Sequence, residues 1–67
     1  MPTLRDFQEA QDRLEYAMYA PEVGTLQKGA FPVFYAYIGG EYVQRHSREE
    51  LAGLLVRAWN NGIKTGA

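Results

Sequence analysis

PVFYAYIGGEYVQRHS, residues 32–47, decides the fold. The run FPVFYAYI is β-branched and aromatic, the run EYVQRH returns, and Gly39-Gly40 between them suits a two-residue type I′ turn, which needs positive φ at both central positions. A two-residue loop sets Ile38 opposite Glu41, Tyr37 opposite Tyr42, Ala36 opposite Val43 and Tyr35 opposite Gln44. One face of the hairpin then carries Phe34, Ala36, Ile38 and Val43. The other carries Val33, Tyr35, Tyr37, Tyr42, Gln44 and His46. A loop one residue longer would move Tyr42 to the opposite face, because strand side chains alternate.

Downstream, Ser47 with Glu50 forms the S-x-x-E signature of a capping box before an apolar periodic run. A helix is expected over 48–60, stopped at Asn61-Gly62 by a glycine able to take the left-handed conformation. The residues after it, 63–67, read as a frayed tail. Upstream, Thr3 is an N-cap with Asp6 three residues on, a weaker form of the same box, and a helix is expected over 3–19. Leu4, Phe7, Ala10, Leu14, Ala17 and Met18 fall on one arc of about 140°, with Gln11 inside it. Arg5, Glu9, Asp12, Arg13, Glu15, Tyr16 and Tyr19 lie outside that arc. Pro21 ends this helix. Residues 20–30, APEVGTLQKGA, read as a loop broken by glycine and proline, with Val23 and Leu26 as lids on the core.

The expected architecture is therefore a small single α+β domain in the order α-β-β-α: an antiparallel hairpin (31–46) with two flanking helices. A chain of 67 residues hides only about 60% of the surface its unfolded form exposes. Small domains compensate with disulfides, metals or oligomerisation. This one has no cysteine and a single histidine, so disulfides and thiolate sites are excluded and no metal or other cofactor is expected. Oligomerisation is the compensation that remains.

Two surfaces are too apolar for a monomer. The second helix has an apolar arc of about 200°, twice what one small core needs, with Ala52, Val56 and Trp59 as the surplus side. The hairpin adds a face with Tyr35, Tyr37 and Tyr42, rings that each bury about 150–250 Å². A two-stranded sheet is marginal alone, and pairing across a two-fold axis would give four strands. A homodimer is the expected state, with Tyr35, Tyr37, Tyr42, Gln44, Val56 and Trp59 as interface or partner-binding residues.

Residues able to carry chemistry are few. Arg45, His46 and Arg48 form a positive cluster at a helix N-terminus, where anions bind through free N–H groups. His46 is the one side chain with an ordinary pKa near neutrality. It has no nucleophile and no orienting acceptor beside it in the pattern, since Ser47 is taken by capping, so no catalytic residue is assigned and no enzyme is expected. Glu9, Asp12 and Glu15 read as a solvated helix face rather than a metal site. Gln11 reads either as a register-fixing polar position or as an amide bonded to a loop carbonyl.

The net charge of −1 argues against a nucleic-acid binder, no apolar run is long enough for a membrane span, and MPTLRDFQEAQ lacks a signal-peptide core. A cytoplasmic protein is expected, acting as a small protein-binding regulator or inhibitor of the kind found among mobile-element accessory proteins. The alternative is an oligomer that holds a nucleotide-like anion at the tyrosine face with Arg45 as counter-charge. A further alternative is a dimeric nucleic-acid-binding regulator.

Overall fold

The chain is described by a computed structural model that covers residues 2–66. Its elements are α1 (Leu4–Met18), β1 (Gly24–Lys28), β2 (Phe31–Ile38), β3 (Glu41–Arg45) and α2 (Arg48–Asn60). The strands form one antiparallel sheet in the order β1-β2-β3. The order is thus α-β-β-β-α, with one strand more than the sequence suggested.

The β2-β3 hairpin has the expected register, with Ile38 opposite Glu41, Tyr37 opposite Tyr42, Ala36 opposite Val43 and Tyr35 opposite Gln44. Gly39 and Gly40 sit at φ of 60° and 81°, the left-handed region that a type I′ turn requires. The additional strand, β1, lies inside the segment read as a loop. Gly29 at φ 62° and Ala30 make a second two-residue turn, so Lys28 faces Phe31, Leu26 faces Val33 and Gly24 faces Tyr35. Glycine at the first central position is the requirement of a type II′ hairpin turn. Pro32 lies in β2 beyond the reach of β3, which pairs only from Phe34 onward, so its missing N–H breaks no second ladder.

The tail is also ordered rather than frayed. Thr65 bridges to Ile38, Gly39 N–H donates to Lys64 O at 2.8 Å, and Gly66 N–H donates to Tyr37 O at 2.8 Å. Residues 64–66 therefore pair with the end of β2 that β1 does not cover. Ala67 lies outside the described residues.

The core is small and alanine-rich. Ala17, Ala36, Leu51, Ala52 and Leu55 are its buried members, with Met18, Val23, Phe34, Ile38, Val43, Val56 and Trp59 packed around them. The inner face of the sheet is thus the one carrying Phe34, Ala36, Ile38 and Val43, and α2 covers it. The backbone of α1 packs on α2 and approaches none of the strands. The expectation that both helices flank the hairpin is corrected here. Ala17 presses α1 onto α2, Arg13 Nη1 donates to Asn60 Oδ1 at 2.6 Å, and the rest of α1 extends outward.

This arrangement covers the surplus side of α2 from within the chain. Ala52 is buried, Val56 lines the cleft between the helices, and the Trp59 ring lies 5.7 Å from that of Tyr16. The surplus reappears on α1, where Leu4, Phe7 and Leu14 stay 77%, 61% and 40% exposed. The molecule measures 45 × 24 × 17 Å, and its radius of gyration of 12.8 Å exceeds the roughly 11 Å expected for this length.

The caps reverse their expected strengths. The α1 box is complete: Thr3 N–H donates to Asp6 Oδ2 at 3.0 Å and Asp6 N–H to Thr3 Oγ1 at 3.2 Å. At α2, Glu50 N–H donates to Ser47 Oγ at 3.5 Å, and no return bond from the Glu50 side chain is present among the described residues. The Asp6 carboxylate reaches the Thr3 N–H despite its shorter side chain.

Candidate functional site: the outer face of the sheet

The face of the sheet away from α2 brings together Tyr35 and Tyr37 from β2 and Tyr42 and Gln44 from β3. Among the described residues no helix lies over it. The Tyr42 ring stacks against Tyr35 at 5.5 Å and meets Tyr37 edge-on at 5.6 Å. These offset and edge geometries are the favoured ones for rings with a negative face and positive rim. Gln44 Oε1 accepts from Tyr42 OH at 3.0 Å and, more loosely, from Lys28 Nζ at 3.4 Å. Val33 is buried at the centre of the face, Tyr35 and Tyr37 are half-buried, and Tyr42 is 46% exposed.

The β1 strand adds to this face what the hairpin alone did not show. Gly24, Leu26 and Lys28 share it by register with Tyr35, Val33 and Phe31. A Cβ on Gly24 would collide with the Tyr35 ring, so that ring lies flat across the β1 backbone. Leu26 and Phe31 are exposed at the far end. The signal for these residues was the alternation in GTLQK next to a Gly-Ala pair, weak because only Leu26 is strongly apolar.

Val56 and Trp59 lie away from this face, on α2. The indole Nε1 donates to Thr65 Oγ1 at 2.8 Å, which ties α2 to the C-terminal segment. The three basic residues do not converge. Arg45 Nη1 donates to the carbonyl oxygen of Gln44 at 2.7 Å, and His46 is exposed at the end of β3. Arg48 turns inward, with Nη1 donating to Met18 O at 2.9 Å and its guanidinium 4.7 Å from the Phe34 ring centre and 5.9 Å from that of Tyr19. Lys28 instead brings a positive group beside the tyrosine cluster, through its contact with the Gln44 oxygen that also accepts from Tyr42.

Two clefts flank α2. One of about 280 Å³ lies between the helices, with Asp6, Glu9, Arg13 and Asn60 on its walls. The other, about 240 Å³, runs between α2 and β3 over Ile38, Val43 and Leu54, with Arg45 and Arg57 at its edge. Gln11 is exposed on α1. Among the described residues no three metal-ligating side chains gather, and no helix is long and apolar enough to cross a membrane.

Comparison with protein-family models, with curated proteins and with solved structures finds no match to this chain.

Proposed function

We propose that this chain is a small, non-enzymatic protein-binding module, a cytoplasmic regulator or inhibitor that works as a homodimer and receives another protein on the outer face of its sheet. The observation that carries this reading is the cluster of Tyr35, Tyr37 and Tyr42 around Gln44 on a sheet face that no helix covers among the described residues. Tyrosine is enriched at protein interfaces because its ring supplies area at low entropic cost and its hydroxyl finds a partner. Preformed stacking fixes the rings before a partner arrives, which lowers the cost of ordering them.

The test is capture from the native cell extract by wild-type protein and by Tyr42→Ala and Tyr37→Ala, with circular dichroism to confirm folding. A partner purified from that capture should bind the folded variants at least about tenfold more weakly, a loss of about 1.4 kcal/mol. Equal binding by wild type and both variants would remove the outer face from consideration.

One observation favours a second reading. Lys28 places an ammonium beside the tyrosine cluster, a combination suited to a nucleotide-like anion, with stacking on a ring and charge at Lys28 rather than Arg45. A thermal-shift panel of nucleotides addresses it. Stabilisation abolished by Lys28→Ala supports this reading, and a flat response across the panel removes it for those compounds.

A further inference from the structure

The exposed apolar residues of α1 are spaced as a coiled-coil seam. Leu4, Phe7, Gln11, Leu14 and Met18 follow intervals of three and four residues, the a and d positions of successive heptads. Met18 anchors the base of this stripe against the core, while Leu4, Phe7, Gln11 and Leu14 face solvent. Gln11 is the single polar member, and its amide makes no hydrogen bond among the described residues. We infer that α1 pairs with α1 of a second copy of this chain, about a two-fold axis that sets Gln11 against its own counterpart. This deepens the homodimer part of the function proposed above and rests on that part alone, leaving the outer face of the sheet free for a different protein.

Three observations select a second copy as the occupant. An amide carries both donor and acceptor, so two copies of Gln11 across a two-fold axis satisfy each other, whereas an apolar groove would leave the amide unpaired. The exposed positions flanking the seam are Thr3, Gln8 and Ala10, all neutral, with Glu15 the only charge, while Ala17 is covered by α2. Self-pairing brings like flanks together, and neutral flanks are those that do so without repulsion. The area also matches. The accessible surface is 5054 Å², against about 4,300 Å² for a compact monomer of 7.6 kDa. That excess of roughly 750 Å² is close to the 800 Å² or so that each partner gives to a stable interface.

The experiment is sedimentation velocity on the full chain from about 1 μM to 1 mM, the range over which a modest interface dissociates. Wild type should be dimeric at the upper end. Phe7→Glu and Leu14→Glu should raise the dissociation constant at least about tenfold, and Gln11→Leu should lower it or yield larger assemblies. Circular dichroism verifies that each variant is folded, as expected where the replaced side chain already faces solvent. Because the chain has no cysteine, Gln11→Cys supplies one thiol and should form a disulfide between copies under mild oxidation. A wild type that is monomeric throughout overturns both the seam and the homodimer. A dimer untouched by Phe7→Glu and Leu14→Glu, and not cross-linked through position 11, overturns the seam alone.

Discussion

Arg48 Nη1 donates a hydrogen bond to the carbonyl oxygen of Met18 at 2.9 Å, joining the first residue of α2 to the last of α1. The end of α1 lacks a basic residue of its own in its last turn. Its exposed carbonyls carry the negative end of the helix dipole, and a cation there is favourable. The second helix supplies it. The same guanidinium lies over Phe34, so one side chain links both helices to the sheet.

Replacing Arg48 with Met should therefore cost about 2 kcal/mol, from a charge-assisted hydrogen bond and a cation–π contact. In a domain this small that lowers the thermal midpoint by roughly 10 °C. Arg48→Lys should recover only part of the loss, because an ammonium cannot lie flat on a ring while bonding a carbonyl. Arg45→Ala, whose guanidinium bonds only the adjacent Gln44 carbonyl, should change the midpoint little. Thermal denaturation of the three variants checks the contrast.

Gly24→Ala should be destabilising by about 1–3 kcal/mol through overpacking. Gly24 needs no unusual φ, so the cost arises wholly from the Tyr35 ring lying across it. The ring can move only by giving up its stacking on Tyr42. The double variant Gly24→Ala with Tyr35→Ala should regain stability relative to the sum of the two single changes. Urea denaturation of the full cycle measures that coupling.

Thr65→Val should cost about 1 kcal/mol or slightly more, since it leaves the half-buried Trp59 N–H without its acceptor. Removing residues 63–67 should cost more, because the backbone bonds to Tyr37 of β2 and to Gly39 of the turn are lost as well. Amide exchange read at Gly39 should quicken in the truncated chain, where Lys64 no longer accepts from it.

The Asp6 carboxyl is held below its ordinary range, first by the Thr3 backbone N–H and then by the Thr3 hydroxyl. Its folded pKa lies below the unfolded one, so in the window between them the unfolded chain binds more protons. Its contribution is then fully present above the ordinary aspartate pKa of about 3.9 and disappears as pH falls through the lower folded value. Asp6→Asn should flatten the acid dependence of α1 helicity, and Thr3→Ala should weaken the helix at every pH. Circular dichroism titrations of the three proteins test both statements.

Much of the sheet was legible in the sequence because the Gly-Gly turn permits few geometries and the tyrosine alternation settles the register. The strand before it was hidden. Thr25, Gln27 and Lys28 are polar and exposed, so β1 is held by its pairing to β2 and by Leu26 opposite Val33, not by a hydrophobic pattern of its own. The tail escaped for a similar reason, since Thr65 is ordered by one indole N–H and by backbone pairing. Periodicity gave the apolar stripe of α1 but not the direction it faces. That direction follows from the small Ala17, which lets α1 settle on α2 and turns Leu4, Phe7 and Leu14 outward. At the site, the tyrosines and Gln44 were found from alternation alone, whereas Lys28 depended on the strand that was missed. Arg45, His46 and Arg48 are close in sequence but make separate contacts, because Arg45 ends β3 and bonds the Gln44 carbonyl whereas Arg48 opens α2 and bonds the Met18 carbonyl.

The chain has one tryptophan, and it sits where α1, α2 and the C-terminal segment meet, with Tyr16 at 5.7 Å and Thr65 bonded to its nitrogen. Its emission is consequently a built-in optical reporter. Withdrawal of α1 would end energy transfer from the Tyr16 phenol, and release of the tail would let water reach the indole and shift its spectrum to the red. Two separate openings of the molecule can be followed in one cuvette, without a label.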